Sequence, residues 1–448
     1  MPADGERVLR ADVARLLGAP ERARIVGDAG LPSPFAVGTL AGAAVAAFAD
    51  AVSALAGGAP AVVHRDRCAT WFRSALIPDG WSPPPPWDPV AGDYRGADGW
   101  IRLHTNAPHH RAAALRVLGV PAERDAVAKA VAALPVAALE ADVVAAGGCA
   151  ARMRTAADWA SSPEGAAVAD EPLIRVARTD DGQASSWSPG PDRPLDGVRV
   201  LDLTRVLAGP VATRALSGLG ATVLRVDPPD WDEPGVVPDM TLGKRTARLD
   251  ARTPAGRARL HELLAGADVL VHGYRPGALE HLGLGVDDRR RIRPGLVEVA
   301  LDAYGWAGPW AGRRGFDSLV QMSAGIAERG MREAGADRPV PLPVQALDHA
   351  TGWLLAAAAV ALLRDRAADG RGGSARLSLA RTAAALTALP GPDPVPEPAQ
   401  AVARSAPTPI GTPWGPAAIA PPPFAVAGVA FRFDRGPAPL GTDAPAWP

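Results

Sequence analysis

Cysteine is nearly absent: Cys68 and Cys149 are the only two in 448 residues. That excludes a disulfide-stapled scaffold and a cysteine-ligated zinc site, and both cysteines read as small buried apolar residues. Lysine is as scarce, confined to Lys129 and Lys244, so arginine carries nearly all the positive charge. With 47 Lys+Arg against 48 Asp+Glu the formal charge is −1, which leaves no electrostatic footprint for nucleic acid. Any anion site must therefore lean on arginine and backbone amides. Long hydrophobic runs are missing too. The N-terminal "MPADGERVLRADVARLLG" is charged throughout and lacks the apolar centre of a signal peptide. The uncharged apolar stretch after His349 ends at Leu363, short of the ~18 residues expected of a membrane span. A soluble, cytoplasmic protein with no membrane partner is expected.

What is present is a globular balance, 48% hydrophobic and 21% charged, in a chain long enough for two or three domains of ~100–200 residues each. From Pro194 onward short apolar runs alternate with helical patterns. "GVRVLDL" (197–203), "ATVLRVD" (221–227), "ADVLVHGY" (267–274) and "GLVEVALDAYG" (295–305) read as strands, with "VATRALSGLG" and "PAGRARLHELLAG" as helices between them. Strand, helix, strand at this spacing argues for a parallel sheet with helices on both faces. The fold expected is α/β, a Rossmann-like large domain at 194–390 with a smaller α+β domain at 91–185 around "DYRGADGWIRLHTN". Residues 1–90 form an N-terminal segment, and 391–448 a Pro-rich tail that wraps the surface without regular structure.

The chain also echoes itself. "VGTLAGAAVAAFADAVSALAGGAPAVVHRDRCA" (37–69) parallels "GWLLAAAAVALLRDRAADGRGGSARLSLARTA" (352–383), so that Arg67 and Arg381 correspond at an offset of 314 (381 − 67 = 314). The copies differ where chemistry would lie: the later one carries Asp348 before its helix, and the earlier one has "PSPF" (32–35) and no acid.

Five motifs follow one another in order: "PLDGVRVLDLTRVLAGPVATRALSGLGATVLRVDPP", "GKRTARLDARTPAGR", "ADVLVHGYRPGALEHLGLG", "GWAGPWAGRRGFDSLVQMSAG" and "LDHATGWLLAAAAVALL". Together they resemble the class III CoA-transferases, a superfamily that also holds the alpha-methylacyl-CoA racemases. The resemblance is close over 194–385. "ADGWIRLHTN" and the stretch 153–174 resemble the family's small domain and its exit, which there follow the catalytic helix and here precede the large domain. The resemblance implies CoA transfer between an acyl-CoA thioester and a free carboxylic acid, without metal or tightly bound cofactor. It also implies a homodimer, since family members form interlocked dimers.

It further implies that Asp348 is the nucleophile, forming covalent aspartyl intermediates that split a difficult exchange into easier steps. Local sequence alone supports a second reading, an N-cap worth ~1 kcal/mol. A helix N-terminus is expected to favour the ionised acid in either role. For CoA binding the resemblance points to Val206 and Leu207 after the first strand, Leu249 and Arg252 at the adenosine end, Gly273, Tyr274 and Arg275 in "HGYRPG", and Arg314. Gly273 stands where the family has asparagine, while Pro228 and His281 stand where some members use arginine. Racemisation needs a second proton-transferring base, a histidine in the racemases' "GHD". This chain has "GFD", and Phe316 cannot carry a proton. "HTNAPHH" (104–110) lacks a placed acid or cysteine for metal binding. "SGLGAT" lacks the full glycine pattern of a dinucleotide site, although Asp227 ends the second strand. His349 could orient Asp348 or face solvent.

Overall fold

The computed structural model describes residues 2–28, 30–182, 187–393 and 406–448. Its centre is a seven-stranded sheet made of β1 (Arg175–Gly182), β2 (Arg199–Leu203), β3 (Thr222–Asp227), β4 (Arg245–Arg248), β5 (Val269–His272), β6 (Val297–Asp302) and β7 (Arg371–Ser378). The order is β4-β3-β2-β5-β6-β7-β1, with every pair parallel except β7 and β1. The expected α/β class and Rossmann-like sheet are therefore present. Valine and leucine runs such as Val269–Val271 are buried on both faces, as central parallel strands require.

Two domain assignments differ from the sequence expectation. Residues 175–182 do not close the small domain but hydrogen-bond to β7 as the antiparallel edge of the large sheet. The small domain is instead a three-stranded sheet of Gly92–Arg95, Trp100–Leu103 and Ala150–Arg152 with three helices between 108 and 145. The tail is not irregular throughout: Thr408–Thr412 and Gly415–Ile419 form a hairpin that pairs with Leu76–Pro78. Its two-residue turn, Pro413-Trp414, is closed by Gly415, which supplies the positive φ of 136°. Of the expected Pro-rich stretch, 394–405 lies outside the described residues.

Two helices fill the core, α1 (Val37–Leu55) and, far along the chain, Ala346–Asp369. Between them in sequence lie α2 (Ala208–Gly218) and α3 (Asp317–Ser323), which makes Ala346–Asp369 α4. Alanine dominates α1 and α4, and such short side chains let helices pack closely. Both are long and apolar enough to cross a membrane by length and composition, yet they are buried inside the protein against each other, α4 also against the large sheet and α1 against the strands Ala23–Val26, Ala61–His64 and Phe424–Val426. Where α4 crosses α2, a Cβ on Gly352 would stand 2.4 Å from the Ala208 carbonyl oxygen. Glycine is needed for this approach, and Gly352→Ala would force the two helices apart.

The echo seen in the sequence is structural. Ala61–His64 pairs parallel to Ala23–Val26 and antiparallel to Phe424–Val426, as β7 pairs parallel to β6 and antiparallel to β1. Residues 1–90 and the tail thus rebuild a three-stranded fragment of the large sheet, with α1 placed relative to it as α4 is to β7.

Candidate functional site

In the large sheet the chain runs outward from β2 through β3 to β4, then returns to start β5 on the other side of β2. Ligands bind at such a switch point, beyond the carboxyl ends of the strands. A cavity of about 270 Å³ opens there, lined by Leu203, Arg205, Asp227, Leu249, Arg252 and Tyr274 among others. Leu249, Arg252 and Tyr274, reached through separate motifs, meet in this one cavity, together with Pro228. Val206 and Leu207 form the turn after β2, and Gly273 and Arg275 flank Tyr274 after β5. His281 is exposed away from this lining.

The turn is held under strain. Val206 has φ 64°, the one positive φ of a non-glycine among the described residues, a conformation costly for a β-branched side chain. Its N–H donates to Glu233 Oε2 at 3.0 Å. Glu233 also receives Arg225 Nη2 at 2.5 Å and Trp231 Nε1 at 2.9 Å. Beneath the turn Lys244 Nζ donates to Asp202 at 3.1 Å and to the Pro210 carbonyl at 2.9 Å, with Thr204 and Thr213 bonded to the same carboxylate. Lys244 and Asp202 are both fully buried, so removing either would strand the other's charge at a cost of ~3–5 kcal/mol. Asp227, the acid a dinucleotide ribose would need, is buried and taken by Arg225 at 2.8 and 3.1 Å.

The cations divide into two kinds. Arg252 is exposed and already bound to Asp250 at 2.8 Å and Asp230 at 3.4 Å, pairings that raise its pKa. A phosphate there would have to compete with two carboxylates. Arg314 and Arg275 lie towards the small domain, where burial and then the neighbouring Arg314 lower the pKa of Arg275. His109 joins them, its pKa lowered by burial, then by Arg314 and Arg205. Among the described residues Arg275 makes only a 3.3 Å bond to the Gly312 carbonyl. This second group is the less neutralised one.

Asp348 occupies the third position of α4, whose N-cap is Gln345 and makes no side-chain cap bond. The N-cap reading of Asp348 is therefore wrong. The cap comes from a distance: Asp317, first residue of α3, accepts the Asp348 N–H at 3.0 Å and also lies against the Leu347 N–H. Gln321 donates to Asp317 from one turn later and accepts the Leu342 N–H at 2.8 Å, locking α3 to the lead-in of α4. Asp348 is 8% exposed, and its carboxylate has no hydrogen-bond partner among the described residues. Burial, then the Asp317 charge, raise its pKa well above the carboxylate range. The expectation that the helix end would favour the ionised form fails, because Asp317 already occupies the amides that would have done so. His349 neither orients Asp348 nor faces solvent. It is buried and stacked on Phe72 at 5.1 Å, and burial lowers its pKa to about 3.

Asp348 does not line the cavity, which stops at Leu203, Arg205 and Tyr274. Sequence reading passed over Asp317, Glu233 and Arg205. The first was in view as the last letter of "GFD", but its role as a remote cap depends on contacts between segments 31 residues apart.

The profile of CoA-transferase family III matches residues 195–405. An acetyl-coenzyme A transferase of Hypoxylon pulicicidum is 34% identical over 239 residues, 50% of this chain and 40% of that protein. A probable fatty acyl-CoA transferase of Mycobacterium tuberculosis is 37% identical over 194 residues, 40% of this chain and 49% of that protein. Mouse succinyl-CoA:glutarate CoA-transferase is 36% identical over 193 residues, 40% of this chain and 44% of that protein. The chain thus spans about half the length, or less, of these relatives. A crystal structure of the mycobacterial protein covers 44% of this chain and 57% of its own at 35% identity, with a TM-score of 0.41.

Proposed function

We propose that the chain is an acyl-CoA:carboxylate CoA-transferase whose nucleophile is Asp348. One Asp348 oxygen attacks the thioester carbonyl, the C–S bond breaks, and CoA thiolate leaves behind a mixed anhydride. The thiolate then attacks the Asp348 acyl carbon, releasing the donor acid and leaving an aspartyl-CoA thioester. The acceptor carboxylate attacks in turn, and CoA returns to it while Asp348 is regenerated. No electrons leave the system and no metal or tightly bound cofactor is needed. CoA would lie across the switch-point crevice with its adenosine end near Leu249 and its phosphates towards Arg275 and Arg314. The homodimer is part of this proposal, and light scattering reads it.

The observation that carries the reading is a buried carboxylate with no hydrogen-bond partner among the described residues, in the first turn of a core helix, whose own capping is done by another acid. A structural cap would be bonded, and this one is not. A second reading, a CoA-ester binder without turnover, is favoured by the cavity stopping short of Asp348. Intact-protein mass spectrometry with acetyl-CoA and succinyl-CoA separates the two. A transferase accumulates a CoA or acyl adduct on Asp348 that is lost in Asp348→Ala. A protein that binds both thioesters and shows no adduct is the binder.

A further inference from the structure

The small domain brings one side chain to this site that neither the cavity nor the acid pair accounts for. His104 follows the strand Trp100–Leu103, and its backbone N–H donates to the Cys149 carbonyl at 2.9 Å, which fixes it beside the next strand. Its ring lies flat on Phe316, with centroids 3.7 Å apart and planes 8° from parallel. Trp87 meets its edge at 5.8 Å, and His110 closes on Phe316 at 5.9 Å. Phe316 directly precedes Asp317, the acid that holds the Asp348 N–H at 3.0 Å. An imidazole from the other domain therefore stacks on the residue next to the acid that caps α4. It occupies the face of the residue that left the large domain without one.

His104 is only 4% exposed. Its Nδ1 is sealed from solvent without a hydrogen-bond partner, and nothing among the described residues bonds to Nε2. A sealed lone pair costs less than a sealed N–H, so in the neutral ring the proton belongs on Nε2. Burial, then His110 and Arg102, keep the ring neutral by lowering its pKa to about 3. A neutral ring does not form an ion pair with Asp348, and it retains an N–H to donate. Neutral imidazole can serve as an electrophilic donor to a carbonyl oxygen.

We propose that His104 is a catalytic residue whose Nε2–H holds the thioester oxygen while Asp348 attacks, resting on the transferase reading above. As the Asp348 oxygen bonds to the thioester carbon, the carbonyl π pair moves onto oxygen, where the imidazole N–H receives it as a hydrogen bond. When that pair returns the C–S bond breaks and the thiolate leaves. The proton stays on His104 throughout.

The test follows adduct formation on Asp348 in single turnovers, with acetyl-CoA and succinyl-CoA as probes and thiol release as the clock. His104→Phe keeps a ring on Phe316 and loses the donor. It is expected to slow the step by about 100-fold, with the half-saturating thioester concentration changed less than about threefold. His104→Gln restores an N–H and recovers about tenfold of that loss. A phenylalanine variant as fast as the wild type overturns the proposal, as do phenylalanine and glutamine variants equally slow at equal melting temperature. Nitrogen NMR of histidine-labelled wild-type protein needs no variant to fold: a neutral Nε2–H ring at His104 is expected at pH 7, and an imidazolium or an Nδ1–H tautomer overturns it. A wild type that forms no adduct brings down the transferase reading and this role together. A wild type that forms one, with His104→Phe unimpaired, brings down only this role.

Discussion

Helices α1 and α4 are two versions of one device. They pack along each other in the core, each leads through a glycine-containing turn to a strand paired the same way, and each has its first turn closed by an acid from elsewhere in the chain. Asp393 accepts the Gly38 N–H at 2.5 Å and the Thr39 N–H at 3.1 Å on α1, as Asp317 accepts the Asp348 N–H on α4. The difference is the third helical residue. Thr39 turns its hydroxyl onto Asp393 at 2.6 Å and is satisfied. Asp348 has no proton to donate when ionised, so its carboxylate faces the Asp317 charge alone. The scaffold is repeated and the frustration is not. A helix end that another acid has already capped disfavours the ionised form of a second acid there.

The largest effect should come from removing that frustration outright. Asp348→Asn should lose adduct formation by at least about 10³-fold while the protein becomes more stable at neutral pH. The sign follows from the raised pKa: below the unfolded carboxylate value near ~4 the wild type loses nothing. As pH rises through the raised folded value, the unfolded chain ionises first and wild-type stability falls. The melting-temperature gain of the variant over wild type should therefore be larger at pH 8 than at pH 4. An equal gain at both would mean that Asp348 is not opposed by its surroundings.

Asp317→Asn keeps an acceptor for the Asp348 amide and removes the opposing charge. In the wild type the adduct-forming rate should rise with pH as the acid pair loses its last proton, above the ordinary carboxylate range. In the variant that limb should move to lower pH. A limb that stays in place would show that burial alone raises Asp348.

Thr39→Asp imposes the α4 arrangement on α1. Two carboxylates would then share one buried helix end, and stability should drop by ~2 kcal/mol at pH 7 in a urea titration, with no new adduct. The smallest effect is expected at Gly273, where a Cβ would meet nothing nearer than 3.9 Å. Gly273→Asn should fold normally and lower the half-saturating acyl-CoA concentration by about twofold to fivefold, the gain from roughly one hydrogen bond. Weakened binding would show that the asparagine of the family motif has no counterpart site here.

Much of this was legible along the chain. The apolar runs gave β2, β3, β5 and β6 close to where they lie, because buried parallel strands leave a continuous signature. Leu249, Arg252 and Tyr274 were picked from separate motifs and line one cavity. Arg175–Gly182 was misplaced because an antiparallel edge strand is assigned by its partner, and its partner β7 lies almost two hundred residues away. His104 was visible only as one of three histidines without a metal partner, since a stacking contact between domains leaves no periodic trace.

The sequence by itself determined the sheet, the two alanine-rich core helices and the residues that gather at the switch point, since these follow from local hydrophobic pattern and from motifs read in order. Tertiary structure alone decided the state of Asp348. Whether an acid in a first helical turn is a satisfied cap or an opposed charge depends on what stands opposite it, and Asp317 and Asp393 reach their helix ends from remote positions. Charge, desolvation and hydrogen bonding act through distance in space, which sequence separation does not encode.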